Sequence, residues 1–260
     1  MLPDYHIHTI LSDGKSAHED YIRKAIEKNV PEIGFSDHVC IKEVGWRMDP
    51  DDIPLMVEKV TGLKKIARHD VNIRFGVEMD YIPGEDDEIA SVLAILPLDY
   101  AIGSIHFIDD WNYDSDPSRY EKMNIYELFE LYFSAVQMSA ASGLFDIIGH
   151  CDMIKKFGHY PKRNIDHLLE KTAGVFRDSD VVIELNTNGL NKPCKDFYPS
   201  PHFLEICHRY KVPVTLSSDA HSADKLGQYF GDAIRLLKET GYKDYAVFSE
   251  RKREFRKINY

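Results

Sequence analysis

Seven times along its 260 residues the chain repeats one unit: a short, almost continuously apolar stretch, a polar residue where it stops, then a segment with helical spacing. Strands apolar on both faces belong in a parallel sheet covered by helices on both sides, because a sheet with one wet face would show alternation. The strand-like stretches are 4–9, 32–38, 71–78, 98–106, 145–150, 181–186 and 212–217. Between and after them, helical patterns run from His18 to Asn29, Asp51 to Arg68, Gly84 to Leu96, Tyr120 to Ser142, Ile165 to Phe176, Pro201 to Tyr210 and Asp224 to Glu239. An open doubly wound sheet would announce itself by a Gly-rich phosphate loop after the first strand, and none is present. The pattern predicts an α/β fold, a closed or nearly closed barrel of seven strands in a single domain over 1–260. That length is usual for such barrels.

Active sites of parallel barrels lie at the C-terminal ends of the strands. Here those ends read His6 and His8, His38, Glu78, His106, His150, then Glu184 and Asn186, then Asp219 and His221. Six of the twelve histidines thus crowd the strand ends, where a random scatter would put about one or two. His6 and His8 point to one face of their strand and can grip one ion together. Burying so many imidazoles and carboxylates without cations would leave polar groups unpaired at a cost of several kcal/mol in sum. Metal ions remove that cost.

The ligand set His6, His8, Asp13, His38, Glu78, His106, His150, Asp219 and His221 is too large for one catalytic ion with three protein ligands. It predicts two or three divalent ions, with Glu78 bridging a pair. Imidazole-rich surroundings suit zinc, manganese or iron and suit calcium poorly. A cationic floor of this kind attracts a phosphate ester, and a hydroxide held between two ions is a nucleophile at neutral pH.

Charge and cysteine usage narrow the partners. The formal net charge is -11, with 43 acids against 32 Lys and Arg, which argues against a nucleic-acid partner and leaves a small phosphate ester as the expected one. The basic run 251–257 is broken by Glu254 and Phe255 and reads as a solvated terminal helix. Cys40, Cys151, Cys194 and Cys207 have no Cys-x-x-Cys spacing, no long uncharged apolar run is present, and the first residues carry an acid and two histidines rather than a basic apolar leader. No membrane association and a cytoplasmic location are expected.

In order along the chain, His6-Ile7-His8-Thr9 with Ser12-Asp13-Gly14, Ser36-Asp37-His38, Gly76-Val77-Glu78, Gly103-Ser104-Ile105-His106, Ile148-Gly149-His150-Cys151-Asp152 and Ser218-Asp219-Ala220-His221 form a set. That set resembles the motifs of the polymerase and histidinol phosphatase (PHP) superfamily. Glu184-Leu185-Asn186-Thr187 and Tyr198-Pro199-Ser200 resemble its histidinol-phosphate phosphatase branch. The resemblance covers about residues 4–222. It implies a distorted seven-unit TIM-like barrel with a trinuclear metal centre, and hydrolysis of L-histidinol phosphate in histidine biosynthesis.

Where some relatives carry a further histidine after His-x-His, this chain has Asp13, which takes the ligand role. Lys156 fits a basic position that holds the substrate phosphate in the family; the stretch after Asn186 offers Lys192 and no arginine. Asp109, in the long loop Asp109 to Ser118, is a candidate for the substrate's ammonium group, and Asn186 for a further substrate contact. Asp219 and His221 stand where an acid would protonate the leaving group, while Glu184, Asp37 and Asp152 would brace the ligands. Rival expectations are another phosphomonoester, such as a nucleotide or sugar phosphate, as substrate of the same site, or a metal-binding module without turnover.

Overall fold

The computed structural model describes residues 2–67 and 69–259. Its strands are β1 (Glu32–Phe35), β2 (His38–Val39), β3 (Asn72–Asp80), β4 (Tyr100–Ser104), β5 (Phe107–Ile108), β6 (Trp111–Asn112), β7 (Ile147–Ile148), β8 (Val182–Asn186), β9 (Val214–Ser217), β10 (Asp244–Ser249) and β11 (Lys252–Lys257). Its helices are α1 (His18–Lys28), α2 (Ile53–Ile66), α3 (Asp86–Ala94), α4 (Ile125–Ala141), α5 (Asp166–Asp178), α6 (Pro201–Arg209) and α7 (Phe230–Thr240). No helix among the described residues is long and apolar enough to cross a membrane.

β1, β3, β4, β7, β8 and β9 lie side by side in that order, all parallel, and β2 pairs with the far end of β3. The first apolar stretch is not a regular strand. It bridges two neighbours instead: Asp4 pairs with Ile33, and Ile7 pairs with Ala220 just beyond β9. Backbone bonds run from Asp4 N to Glu32 O and Gly34 N to Asp4 O on one side, and from Ala220 N to His6 O and His8 N to Ala220 O on the other. Segment 4–8 therefore closes the barrel, and short strands with bridging contacts account for its distortion.

Several predicted boundaries shift for local reasons. The stretch 32–38 divides into β1 and β2. α4 begins at Ile125 rather than Tyr120, because the Asn124 side chain accepts a bond from Tyr126 N at 3.1 Å and caps the helix. α7 begins at Phe230 rather than Asp224, after Tyr229 takes a left-handed φ of 56°. Loop 109–118 starts with the two-residue turn that joins β5 to β6 and then includes β6 itself.

The C-terminal tail is a correction. Residues 252–257 form β11, an antiparallel partner of β10, and not a helix. The two turn residues, Glu250 and Arg251, have φ of 51° and 59°, a geometry in which Asn-Gly or Asp-Gly is the usual signal. That signal is missing here. The basic side chains have partners at the N-terminal ends of the strands: Arg251 Nε donates to Asp146 Oδ2 at 2.8 Å, Arg253 Nη2 to Asp180 Oδ1 at 2.7 Å and Arg256 Nη1 to Glu32 Oε2 at 3.3 Å. Phe248 N donates to Tyr5 Oη at 3.4 Å, and Thr215 Oγ1 to Ala246 O at 3.0 Å. The hairpin thus covers the end of the barrel opposite the histidines.

Candidate metal centre

Glu78 lies at the middle of the other end, at 1 % exposure. Five imidazoles from four segments face its carboxylate. His150 Nε2 is 2.8 Å and His106 Nε2 3.7 Å from Oε1; His38 Nδ1 is 2.9 Å, His6 Nε2 3.1 Å and His8 Nε2 3.5 Å from Oε2. Beside this group, Asp219 Oδ1 stands 3.5 Å from His8 Nε2 and 3.4 Å from His221 Nδ1. Asp13 completes it, 3.1 Å from His221 Nε2, 3.7 Å from His38 Nε2 and 3.8 Å from His8 Nδ1. All nine residues read from the sequence as a ligand set are therefore gathered in one place.

Electrostatics show why such a cluster needs cations. Burial opposes the charge of Glu78, yet His6, His38 and His106 hold its carboxyl well below the usual carboxylate range. Burial and the neighbouring His221 and His38 push His8 down to about 3, which favours the neutral ring with one nitrogen lone pair free to donate. Burial works against a charge on His106 too, but Asp80 and Glu78 raise it to about 10. His6 Nε2, both nitrogens of His8, His38 Nδ1 and His150 Nδ1 are buried without a hydrogen-bond partner. Buried polar atoms are rarely left so. The sets His8, Asp13, His38 and His221; His6, His150 and Asp219; and Glu78, His106 and His150 each bring donor atoms within 4.8 Å of one another. Imidazole and carboxylate donors at that spacing fit zinc, manganese or iron.

The surrounding bonds fix the donors. Glu184 lies 2.6 Å from His6 Nδ1, accepts from the His150 backbone N at 2.7 Å and from the Ser217 hydroxyl, and so orients the His6 ring and fixes the backbone that carries His150. Asp37 accepts from Thr9 N at 2.6 Å, Thr9 Oγ1 at 2.9 Å and Ser12 Oγ at 2.6 Å, tying down the turn that carries Asp13. That turn needs Gly14, since a Cβ there would lie 2.1 Å from the His8 carbonyl oxygen. His150 and Asp219 enter the site from left-handed backbone, with φ of 22° and 49°. Non-glycine residues held there cluster at functional sites. Glu184→Gln keeps the volume but weakens the hold on the His6 ring; metal affinity, measured by chelator competition, is expected to fall by about 10–100-fold.

Three expected roles are corrected. Asn186 does not reach the open cavity; its Nδ2 donates to Glu184 Oε1 and Asp219 Oδ2, each at 3.2 Å, which makes it a brace for Asp219. Asp152 bonds Lys155 Nζ at 2.8 Å and Ser200 N at 2.7 Å, so it anchors the 196–200 segment and touches no ligand. Asp109 is exposed in the β5–β6 turn at φ 54°, outside the cavity lining, because the hairpin turns it outward. Both expected lysines, Lys156 and Lys192, do line the cavity, which has a volume of about 200 Å³ above the cluster.

Sequence reasoning missed Asp80, Trp46 and Asp114. Asp80 Oδ1 is 2.8 Å from His106 Nδ1, and two residues beyond Glu78 on a strand it shares that face, a parity that would have found it. Trp46 packs its ring 4.6 Å from His38 and 5.5 Å from His106, from a loop with no periodicity to mark it. Asp114 lines the cavity from the 109–118 loop.

A barrel with a clustered histidine and carboxylate site of this kind matches the PHP domain family model over residues 4–188, and the chain belongs to that family. Among curated relatives, it is 30% identical over 248 residues to the probable histidinol-phosphatase of Deinococcus radiodurans, covering 92% of this chain and 94% of that one. It is 26% identical over 254 residues to the histidinol-phosphatase of Bacillus subtilis, covering 86% and 95%. Among solved structures, the histidinol phosphate phosphatase of Lactococcus lactis, complexed with zinc, L-histidinol and phosphate, has the same fold: TM-score 0.86 at 22% identity over 97% of this chain and 98% of that one.

Proposed function

We propose that this protein hydrolyses L-histidinol phosphate to L-histidinol and phosphate, as a metal-dependent phosphomonoesterase of histidine biosynthesis in the cytoplasm, with residues 1–260 forming one phosphoesterase domain. The observation that carries the chemistry is the ring of five imidazoles around the buried carboxylate of Glu78. Support for the substrate comes from relatives that match nearly end to end and are named for it.

His6, His8, Asp13, His38, Glu78, His106, His150, Asp219 and His221 are the residues to hold two or three divalent ions, zinc, manganese or iron. Bound ions of this kind supply Lewis acidity at the phosphoryl oxygens and bring a water into the nucleophilic range at neutral pH. Glu184 and Asp80 hold the rings of His6 and His106 in the tautomers that leave the opposite nitrogen free. Lys156 and Lys192, on the cavity wall, receive the phosphate. A water or an acid near Asp219 and His221, which lie 3.4 Å apart at the cavity edge, protonates the leaving alkoxide oxygen. The acidic surplus of the chain leaves a nucleic-acid backbone unfavoured as a partner.

The test is phosphate release by metal-loaded protein from histidinol phosphate beside a panel of nucleotide and sugar phosphates. The expected result is a kcat/KM for histidinol phosphate at least ~100-fold above the others, about 2.7 kcal/mol of discrimination. A better turnover of another ester would transfer the assignment to that ester, and no release from any would leave a metal-binding module.

A further inference from the structure

Four carboxylates line the cavity: Asp13, Glu78, Asp219 and Asp114. The first three face imidazoles of the cluster. Asp114 differs. Its side chain pairs with Lys156, whose Nζ donates both to its carboxylate and to its backbone oxygen, the latter at 2.8 Å. The neighbouring Tyr113 is fully buried and donates from its hydroxyl to Ile105 O at 2.5 Å, so the position of Asp114 is fixed by a packed anchor rather than by a loose loop. The loop is further held by Trp111 Nε1 donating to Asp116 O at 2.9 Å.

An ammonium has three donors on a flexible stem, and Lys156 spends two of them on Asp114 while standing on the wall above the metal cluster. A third donor remains for a phosphate oxygen. A carboxylate that shares one lysine keeps lone pairs for a second cation. We propose that Asp114 is the residue that selects for a positively charged leaving group, accepting the ammonium of an amino-alkyl phosphate while Lys156 joins it to the phosphate. Phosphate, Lys156, Asp114 and substrate ammonium then alternate in sign along the wall. An ester without the ammonium leaves that carboxylate with an unused acceptor face, which costs binding to the neutral analogue. This role rests on the phosphatase reading given above and names the part of the substrate that the site distinguishes.

The experiment compares metal-loaded wild type and Asp114→Asn on histidinol phosphate and on its deaminated analogue, the imidazolylpropyl phosphate. Wild type is expected to prefer the amino ester by at least about tenfold in kcat/KM. The Asn variant is expected to lose about 10–100-fold on the amino ester, the range of one charge-assisted hydrogen bond, with a loss about tenfold smaller on the deaminated one. Equal losses on both esters would mean that Asp114 serves only to place Lys156, and would overturn the proposal. So would a wild type that turns over both esters equally well, whatever the variant does; that outcome would leave the phosphatase reading standing. Absence of turnover of either ester by wild type would overturn both.

Discussion

Glu78→Gln is expected to lower kcat/KM by at least ~1000-fold, about 4 kcal/mol of transition-state stabilisation, and to reduce bound metal by about one ion per chain. Gln has nearly the same shape, so the barrel survives. What changes is charge: Oε1 faces His150 and accepts from Ser104 Oγ at 2.6 Å, and Oε2 faces His38, His6 and His8. An amide in that place would turn N–H groups toward ring nitrogens, and it supplies one weak oxygen where a carboxylate has two. Elemental analysis of purified variant and phosphate release would check both halves. Wild-type metal content together with wild-type turnover would remove Glu78 from the centre.

Gly76→Ala is expected to act on stability instead, by about 3 kcal/mol, seen as a fall of roughly 6–12 °C in Tm. A Cβ at Gly76 would lie 2.3 Å from the Tyr100 ring, and one at Gly34 would lie 2.1 Å from its hydroxyl. The ring has nowhere to go. Its hydroxyl donates to Tyr5 O at 2.7 Å, and it packs between Tyr5 and Phe248 at centroid distances of 5.0 and 6.3 Å. Adding Tyr100→Leu to Gly76→Ala should restore part of the loss, because the smaller side chain vacates the contested volume. A Tm within about 2 °C of wild type for the single variant would show that the ring can shift after all.

Both predictions sit on β3, which carries Gly76 for the core and Glu78 for the site. On that strand the sequence was informative because a parallel strand buried on both faces must be apolar, and polar residues at its end then stand out. The same reasoning located His38, His106 and His150. It failed at Asp80, where the strand continues two residues further than its apolar run, and at Trp46 and Asp114, which come from loops with no periodicity. It failed also for residues 251–257, whose arginines looked solvated because their partners Glu32, Asp146 and Asp180 are far away in the chain.

The amino-acid order by itself determined the alternation of strands and helices, the barrel class and the residue types massed at one set of strand ends, since those depend on local periodicity and on what burial permits. Only the tertiary structure decided that segment 4–8 closes the barrel, that Asn186 braces Asp219 while Asp152 anchors the 196–200 segment instead of the ligands, and that Asp114 rather than Asp109 faces the cavity. Those outcomes depend on side-chain directions across contacts tens to hundreds of residues apart, and on turn geometry such as that at Glu250 and Arg251, which a one-dimensional pattern does not encode.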